Sequence, residues 1–411
     1  MIEQITIKNF KSFKDVTLKL GPLNIFIGAN ASGKSNFFDA LRVLQGIGYG
    51  FTIHEILDGK PKSATSEVWE GIRGGSTNAA FTREHALLPT VFEVCGKYGT
   101  RAYERFEFEV FFSSEKGRLQ HERLAVANRD IYDSACAFAE NLVCLDNPVF
   151  TVSYLKGGRG RPPQLAFDRH RSVLAQMASG GNGKWTKEHA EGAQQVARAL
   201  ADVQRIDPSP AFLRAYSQAH EVKRMGEHGE NFAALVRTIC RDSETKRAFL
   251  SWLRELRPHD VDDIDTRSGA LGEPLVAMKE RGREWLAPVL SDGTLRFAAI
   301  AAAFFQPDIP GVIMIEEIEN GIHASRLRLL VELLRSRAAA GKTQVMVTTH
   351  SPVVLAWLKP EEYATTFYCK RDEETGESRI VPLTEIPRFT EIVSKQPISD
   401  LFAEGWLEEA L

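Results

Sequence analysis

Leu23-Asn24-Ile25-Phe26-Ile27-Gly28-Ala29-Asn30-Ala31-Ser32-Gly33-Lys34-Ser35 joins an apolar run to a glycine-rich loop, and the reading of that junction decides the fold. The apolar run predicts a buried strand, and the apolar residues between Asn36 and Leu44 predict a helix behind the loop. Gly28 and Gly33 let the backbone curl so that N–H groups face phosphate oxygens, and the helix adds the positive end of its dipole. On a strand-to-helix corner this pattern is a phosphate-binding loop, in which Lys34 reaches the β- and γ-phosphates and Ser35 holds Mg²⁺. A nucleoside triphosphate is therefore the first ligand to consider, with Gly28, Asn30, Ser32, Gly33, Lys34, Ser35 and Asn36 as its candidate contacts. A glycine-rich turn matching by chance would lack the strand in front and the helix behind.

Composition bounds the class. The 411 residues are 43% hydrophobic and 26% charged, as in a soluble globular chain large enough for two lobes or domains. A formal net charge of -3 gives no electrostatic case for nucleic-acid binding by the whole chain. Cys95, Cys136, Cys144, Cys240 and Cys369 form no C-x-x-C pair, so neither a disulfide framework nor a zinc site is indicated, and a reducing compartment fits. The opening residues Met1 to Lys8 alternate like a strand and lack the apolar core of a signal peptide. The longest apolar stretch, Phe297 to Phe305, is about half of the ~20 residues a membrane-spanning helix needs. The expectation is a cytosolic protein with no membrane partner.

Along the chain, strands are predicted at Ile5–Phe10, Val16–Leu20, Leu23–Ile27, Thr90–Val94, Arg105–Phe112 and Val149–Leu155. A loop rich in Gly, Ser, Asn and Thr runs from Gly71 to Asn78, and another at Ala178–Gly183 marks flexible linkage. From about Ser172 to Leu256 the periodicity is helical. From Leu286 onward strands alternate with helices: Phe297–Phe305 helix, Gly311–Ile315 strand, Arg326–Arg335 helix and Gln344–Thr348 strand. Alternation of this type predicts a mostly parallel sheet. The expected organisation is 1–171 with the phosphate loop and a β lobe, 172–285 a mainly helical insert, and 286–411 the returning α/β part.

Three further places carry chemistry. The apolar strand Val312-Ile313-Met314-Ile315 delivers Glu316 and Glu317 to its C-terminal edge, where open α/β sheets bind ligands. There Glu316 could orient a Mg²⁺-bound water and Glu317 could activate the attacking water; a solvated acidic strand end is the alternative. Ser291 and Gly293, in Leu290-Ser291-Asp292-Gly293-Thr294, open an apolar helix and form either a second anion-binding terminus or an ordinary N-cap. His350 ends the apolar strand Val345–Thr349 and precedes Ser351-Pro352, either as a structural histidine or as part of the same sheet edge.

In order and context these places resemble the nucleotide-binding head of ABC-class ATPases, in the branch that contains SMC, RecF and OLD-type proteins, and especially the small bacterial OLD-like AAA-type ATPases. Ile5-Thr6-Ile7-Lys8-Asn9-Phe10-Lys11-Ser12-Phe13 resembles the branch's opening strand and turn, and Leu290–Arg296 its signature motif. Ile315-Glu316-Glu317-Ile318-Glu319-Asn320-Gly321-Ile322-His323 resembles its Walker B and D-loop, Thr348–Pro352 its switch histidine, and Gly226-Glu227-His228-Gly229-Glu230-Asn231 a short motif of the same group. The resemblance implies an α/β P-loop NTPase of ABC type: a mixed and antiparallel β lobe, a parallel-sheet core and an inserted helical lobe. It implies ATP and Mg²⁺ as cofactors, Lys11 approaching the nucleotide, Glu316 at the metal, and Glu317 and His350 in catalysis. It also implies a homodimer or larger homo-oligomer that sandwiches ATP, with Ser291 and Gly293 on the γ-phosphate of the partner's nucleotide. Glu316 stands where the family has aspartate, and no Q-loop glutamine is identified.

The expected function is an ATPase whose nucleotide-gated dimerisation controls a separate effector, such as a nuclease or toxin, in bacterial defence against phage and mobile elements. A RecF-like or SMC-like DNA-binding maintenance ATPase is the alternative, with DNA as a candidate partner. A transporter subunit fits less well, because the segments at Ile7–Lys11 and Glu319–His323 look unlike that branch. An ordinary AAA+ motor is disfavoured because nearly the whole chain separates the two Walker motifs. Lys156, Arg159, Arg161, Arg169 and Arg171 could touch phosphates, but Gly157, Gly158 and Gly160 make a solvated hairpin the favoured reading. About sixty residues follow His350, too few for the nuclease domain of larger OLD proteins, and Asp400–Leu407 reads as a short terminal helix or cap.

Overall fold

A computed structural model describes residues 1–60, 69–81, 88–99, 101, 104–134, 146–155, 162–180, 185–256 and 261–411. Its strands are β1 (Ile2–Phe10), β2 (Phe13–Lys19), β3 (Leu23–Ile27), β4 (Thr90–Lys97), β5 (Arg105–Ser113), β6 (Arg118–Val126), β7 (Arg129–Asp133), β8 (Val149–Tyr154) and β9 (Gln164–Asp168). They continue with β10 (Val203–Ile206), β11 (Val261–Ser268), β12 (Pro274–Glu280), β13 (Arg283–Leu286), β14 (Val312–Ile315), β15 (Gln344–Thr349), β16 (Thr366–Arg371) and β17 (Ser378–Pro382). These residues form two compact units. The first is Met1–Gly21, Gly28–Val203 and Tyr368–Val381; the second is Pro22–Ile27, Gln204–Phe367 and Pro382–Leu411.

The first unit is built on an eight-stranded sheet in the order β2-β1-β4-β5-β6-β7-β8-β9, in which each neighbouring pair is antiparallel. Alternation in β5 turns Phe106, Phe108, Val110 and Phe112 inward. Phe92 of β4 stacks on Phe112 with centroids 6.1 Å apart and meets Phe10 of β1 edge-on at 5.3 Å. Such same-face aromatic neighbours pin the register, because a one-residue slip would turn every ring to the opposite face. Strands β6, β7 and β9 are additions to the sequence reading. β6 hid its period because Gln120, His121 and Glu122 are all buried in it.

Glu122 is the most enclosed of these polar residues. Its carboxylate accepts from Tyr132 Oη at 2.6 Å, Ser172 Oγ at 2.9 Å, and the backbone N–H groups of Val173 and Leu174 at 3.0 and 2.8 Å. It thereby ties β6 to the helix Val173–Ala178, which packs against Lys187–Ala201 and Lys34–Tyr49. Burial pushes the Glu122 carboxyl above its ordinary pKa, against the pull of these donors.

In the second unit, neighbouring strands run in the order β10-β14-β15-β3. β14 pairs β15 in parallel, with Ile315 opposite Val347, and β15 pairs β3 in parallel, with Thr349 opposite Ile27. All three are buried along their length, as expected of uninterrupted apolar runs in a parallel sheet. Phe26 stacks on Phe367 with centroids 5.0 Å apart. The helix predicted at Phe297–Phe305 spans Asp292–Ala303, and the one predicted at Arg326–Arg335 spans Ala324–Ala339.

Residues 172–285 do not form one helical lobe. Residues 172–203 lie in the first unit and the rest in the second, and the stretch ends in a three-stranded antiparallel sheet, β11-β12-β13. Polar residues such as Asp262, Asp263 and Asp265 in β11 gave that sheet no readable alternation. Lys156, Arg159, Arg161 and the loop residues 181–183 lie outside the described residues, as do Cys136 and Cys144. Arg169, read as part of a solvated hairpin, is instead buried: its guanidinium lies over the Phe150 ring and donates to the Val149 carbonyl at 3.2 Å. Arg171 is exposed.

Because four donors converge on Glu122, two of them backbone N–H groups that cannot accept, Glu122→Gln sets an amide NH₂ against at least one group that can only donate. The variant is expected to lose about 1–3 kcal/mol of stability, measured by denaturant unfolding; a change within 0.5 kcal/mol, roughly the spread of neutral surface substitutions, would show that the carboxylate is not required there.

Candidate nucleotide site

In the first unit, Gly28 continues directly from β3 and the loop ends at the helix Lys34–Tyr49. Gly28 has φ 147° and Gly33 φ 107°, with Ala31 also left-handed at 63°. A Cβ on Gly28 would stand 2.3 Å from the Cys369 carbonyl oxygen, and one on Gly33 would stand 2.6 Å from Ser378 Oγ, so both positions exclude a side chain. Lys34 is nearly buried, and its ammonium donates to the carbonyls of Gly28 and Ala29, both at 2.7 Å. Ser32 Oγ is buried with no hydrogen-bond partner among the described residues. Asn30 is exposed, and Asn36 donates to Ser12 Oγ at 2.7 Å.

A cleft of about 890 Å³ opens beside the first turn of that helix, lined by Lys11, Ser35, Asn36, Arg73 and Arg371 among others. Lys11 lines it, and its ammonium is hydrogen-bonded to Asp39 and to the Arg73 carbonyl at 2.8 Å. Burial holds the Lys11 ammonium below its ordinary pKa, with Asp39 opposing. Arg73 reaches the same carboxylate at 3.2 Å and donates to the Ser35 carbonyl at 2.8 Å. The Lys11 side chain is 7% exposed and that of Arg73 48%, so Arg73 presents the more accessible cation. Sequence reading missed both Asp39 and Arg73. The i,i+4 spacing of Ser35 and Asp39 on one helix face was a usable signal for the first; Arg73 was concealed in a segment read only as loop.

In the second unit, β14 and β15 end side by side, and their ends carry Glu316-Glu317 and His350. Glu317 has φ 47°, an uncommon conformation for a side chain of this size. Its N–H donates to Thr348 Oγ1 at 2.9 Å, and Asn320 Nδ2 donates to its Oε2 at 2.6 Å. Glu316 pairs with Arg205 at 3.3 Å. The His350 N–H donates to Glu319 Oε1 at 2.7 Å, and its Nδ1 lies 3.0 Å from the same oxygen. Glu319 Oε2 is buried without a partner among the described residues.

Ser291 is the N-cap of the helix Asp292–Ala303, accepting from the Thr294 N–H at 3.3 Å, and Arg214 pairs with Asp292 at 2.5 Å. A Cβ on Gly293 would stand 2.7 Å from the Gly321 carbonyl oxygen, so this glycine is required within the chain by the turn that follows Glu316 and Glu317. Ser35 in the first unit carries a hydroxyl and Glu316 in the second a carboxylate, each a hard oxygen donor of the kind that suits Mg²⁺. Among the described residues no cluster of three or more His, Cys, Asp or Glu could hold a metal alone. Either residue suits a cation carried largely by substrate phosphates, which is how Mg²⁺ is usually bound.

Residues 1–55 match the family model described as "AAA ATPase domain", and residues 277–356 match "AAA domain, putative AbiEii toxin, Type IV TA system". The chain is 24% identical over 399 residues to an "ATP/GTP phosphatase" of Helicobacter pylori, covering 91% of this chain and 93% of that protein. It is 46% identical over 44 residues to the "DNA replication and repair protein RecF" of Lactococcus lactis subsp. cremoris, covering 10% of this chain and 12% of the relative. Among solved structures it is similar to an SMC head bound to the C-winged helix domain of ScpA, with TM-score 0.47, 15% identity, and 92% and 96% of the two chains covered. It is also similar to the SMC head domain of Thermotoga maritima, with TM-score 0.42, 13% identity, and 93% and 98% covered. Two separate stretches of the chain thus match models of AAA-type domains. No helix among the described residues is long and apolar enough to cross a membrane.

Asp39→Ala would leave the buried Lys11 ammonium without its counter-charge. Losing one partner of a buried pair costs about 3–5 kcal/mol, so the variant is expected to unfold at markedly lower denaturant, whereas Arg73→Gln, at a half-exposed position, stays near wild type.

Proposed function

We propose that this chain, an ABC/SMC-like ATPase of the AAA type, binds and hydrolyses ATP with Mg²⁺ and uses ATP-dependent pairing of two copies to control a separate effector. The observation that carries the reading is the edge of the second unit's sheet. Three neighbouring parallel strands end there: β14 in Glu316 and Glu317, β15 in His350, and β3 at the first residue of the phosphate loop. Ligands of open α/β sheets bind at the carboxyl ends of their strands.

On this reading Lys34 exchanges its two loop carbonyls for phosphate oxygens, and the loop glycines let the backbone approach the triphosphate. Ser35 and Glu316 would each offer an oxygen to Mg²⁺, and the cation would neutralise phosphate charge. Glu317 orients and deprotonates the attacking water, with its carboxylate steadied by Asn320, and Glu319 fixes the ring of His350 toward its catalytic role. The strained backbone at Glu317 supports this assignment, since such outliers cluster at functional sites. Ser291 and Asp292 are exposed at a helix start, which supports a surface that meets the triphosphate of a second copy. The toxin-system description of the matching C-terminal model supports a role in bacterial anti-phage or mobile-element defence with a toxin or nuclease as effector. The RecF match is confined to a short stretch, and Arg169 of the candidate DNA segment is buried, so the DNA-maintenance reading has less behind it.

Lys34→Ala is expected to weaken ATP binding roughly tenfold to a hundredfold, the value of one charge-assisted contact. Unchanged nucleotide titration would remove the loop from the mechanism. Glu317→Gln should keep ATP affinity while slowing hydrolysis by ~10²–10⁴-fold and prolonging the ATP-bound dimer; hydrolysis at the wild-type rate would refute its role as base.

The pairing is best tested at Ser291. Asp caps helices as well as Ser does, so Ser291→Asp preserves the fold while setting a carboxylate against a partner's γ-phosphate. Loss of the ATP-dependent mass increase in light scattering, with monomer binding intact, is the expected result. An undiminished increase would exclude the cross-subunit contact.

A further inference from the structure

The segment Gly226-Glu227-His228-Gly229-Glu230-Asn231 has no part in the mechanism above, yet it is tightly built. Gly229 is left-handed, with φ 82°, and a Cβ there would stand 2.5 Å from Leu213 Cδ2. Asn231 latches the turn from both sides, accepting from the Gly226 N–H at 2.8 Å and donating to the Arg224 carbonyl at 2.9 Å. The backbone of the segment then pairs with residues following β10: the Asp207 N–H donates to the Glu227 carbonyl at 2.8 Å and the Ser209 N–H to the His228 carbonyl at 3.0 Å. Glycines and asparagine thus explain the shape. They leave the side chain of Glu227 unexplained.

Glu227 accepts an ion pair from Arg205 of β10 at 2.9 Å, and the other arm of the same guanidinium reaches Glu316 at 3.3 Å. Arg205 is therefore a fork between two carboxylates, one in the 226–231 turn and one at the end of β14. Glu316 is 14% exposed, so its direction is set chiefly by protein neighbours. The segment after β10 that pairs with this turn is itself tied to the helix Asp292–Ala303, because Arg296 donates to the Pro208 carbonyl at 2.9 Å and pairs with Asp207 at 3.3 Å. We infer that Arg205, held by Glu227, is a positioning residue that aims the Glu316 carboxylate for the nucleotide-bound Mg²⁺, and that the 226–231 turn exists to hold Arg205.

The inference rests on the ATPase reading of Glu316, and the physical argument is one of orientation. A planar guanidinium bridging two acids fixes both by directed hydrogen bonds, which a lysine ammonium cannot do with the same geometry. Groups that orient a metal's ligand without touching the metal typically change metal affinity or activity ~10–100-fold when removed.

The test uses the full chain, Arg205→Gln, Arg205→Lys and Glu227→Gln, with a fluorescent ATP analogue titrated in EDTA and at a series of Mg²⁺ concentrations, and with hydrolysis followed in parallel. Arg205→Gln is expected to leave analogue binding in EDTA at the wild-type value, raise the half-saturating Mg²⁺ about tenfold and lower kcat by a similar factor. Arg205→Lys should fall between it and wild type, and Glu227→Gln should move in the same direction by less. An unchanged or tighter Mg²⁺ requirement in Arg205→Gln overturns the inference. So does an equal loss of binding in EDTA or a fall in the thermal midpoint of both Arg205 variants, since either would make the role purely structural. A wild-type chain that binds Mg²⁺ and the analogue but does not hydrolyse ATP would refute the proposed activity instead, and the binding titrations would still decide the role of Arg205.

Discussion

The parallel pairing of β15 with β14 on one side and β3 on the other is the constraint on which the chemistry of the second unit depends. Register places Ile315 beside Val347 and Thr349 beside Ile27, so the residues that follow each strand emerge together at one edge. A slip by one residue would draw a polar residue that follows one of these apolar runs, such as Glu316, into a layer buried on both faces, which is why the register is strongly fixed. The edge also explains how two adjacent acids differ. Glu316 still follows the strand and meets Arg205, whereas Glu317 turns left-handed and meets Asn320. A non-glycine residue in that conformation costs about 1–3 kcal/mol, and the hydrogen bond from its N–H to Thr348 on the adjacent strand helps to offset it.

Charge in the first unit is organised around Asp39. A carboxylate at 7% exposure gathers both Lys11 and Arg73, and Arg73 in turn holds the carbonyl of Ser35. The cleft beside the loop is therefore lined by cations whose positions are set before any anion arrives, so little reorganisation accompanies binding. Lys34 differs, since its ammonium is held at the loop by two carbonyls that it has to leave before it can meet an anion.

The loop after β3, the acidic end of β14 and the place of His350 at the end of β15 were legible because each pairs an uninterrupted apolar run with an abrupt polar ending, a signal that local sequence carries in full. The limits of β14 and β15 were legible for the same reason. What stayed hidden depends on contacts between residues far apart in the chain. Glu122 reads as a surface residue until Ser172, Val173 and Leu174 are brought to it, and Arg169 reads as part of a basic hairpin until it is seen over Phe150. The three-stranded sheet β11-β12-β13 escaped because its acidic first strand and its fully exposed last one lack the alternation of a half-buried strand. Arg205 escaped because nothing in a short strand such as β10 announces a side chain that serves Glu227 and Glu316 at once.

The signature segment shows why motif resemblance and physical role have to be argued separately. Gly293 is demanded by the carbonyl of Gly321, and Ser291 is accounted for as a helix cap. Both residues would be favoured here even if no second copy ever approached, so their identity alone says nothing about pairing. What does bear on pairing is exposure: Ser291 and Asp292 lie at the surface, while Thr294 to Ala303 behind them are buried. The close contact of Gly293 with Gly321 has a further consequence, because it joins the start of the signature helix to the turn that follows Glu316 and Glu317. A side chain at position 293 would have to displace that carbonyl, and with it the segment that carries the two acids.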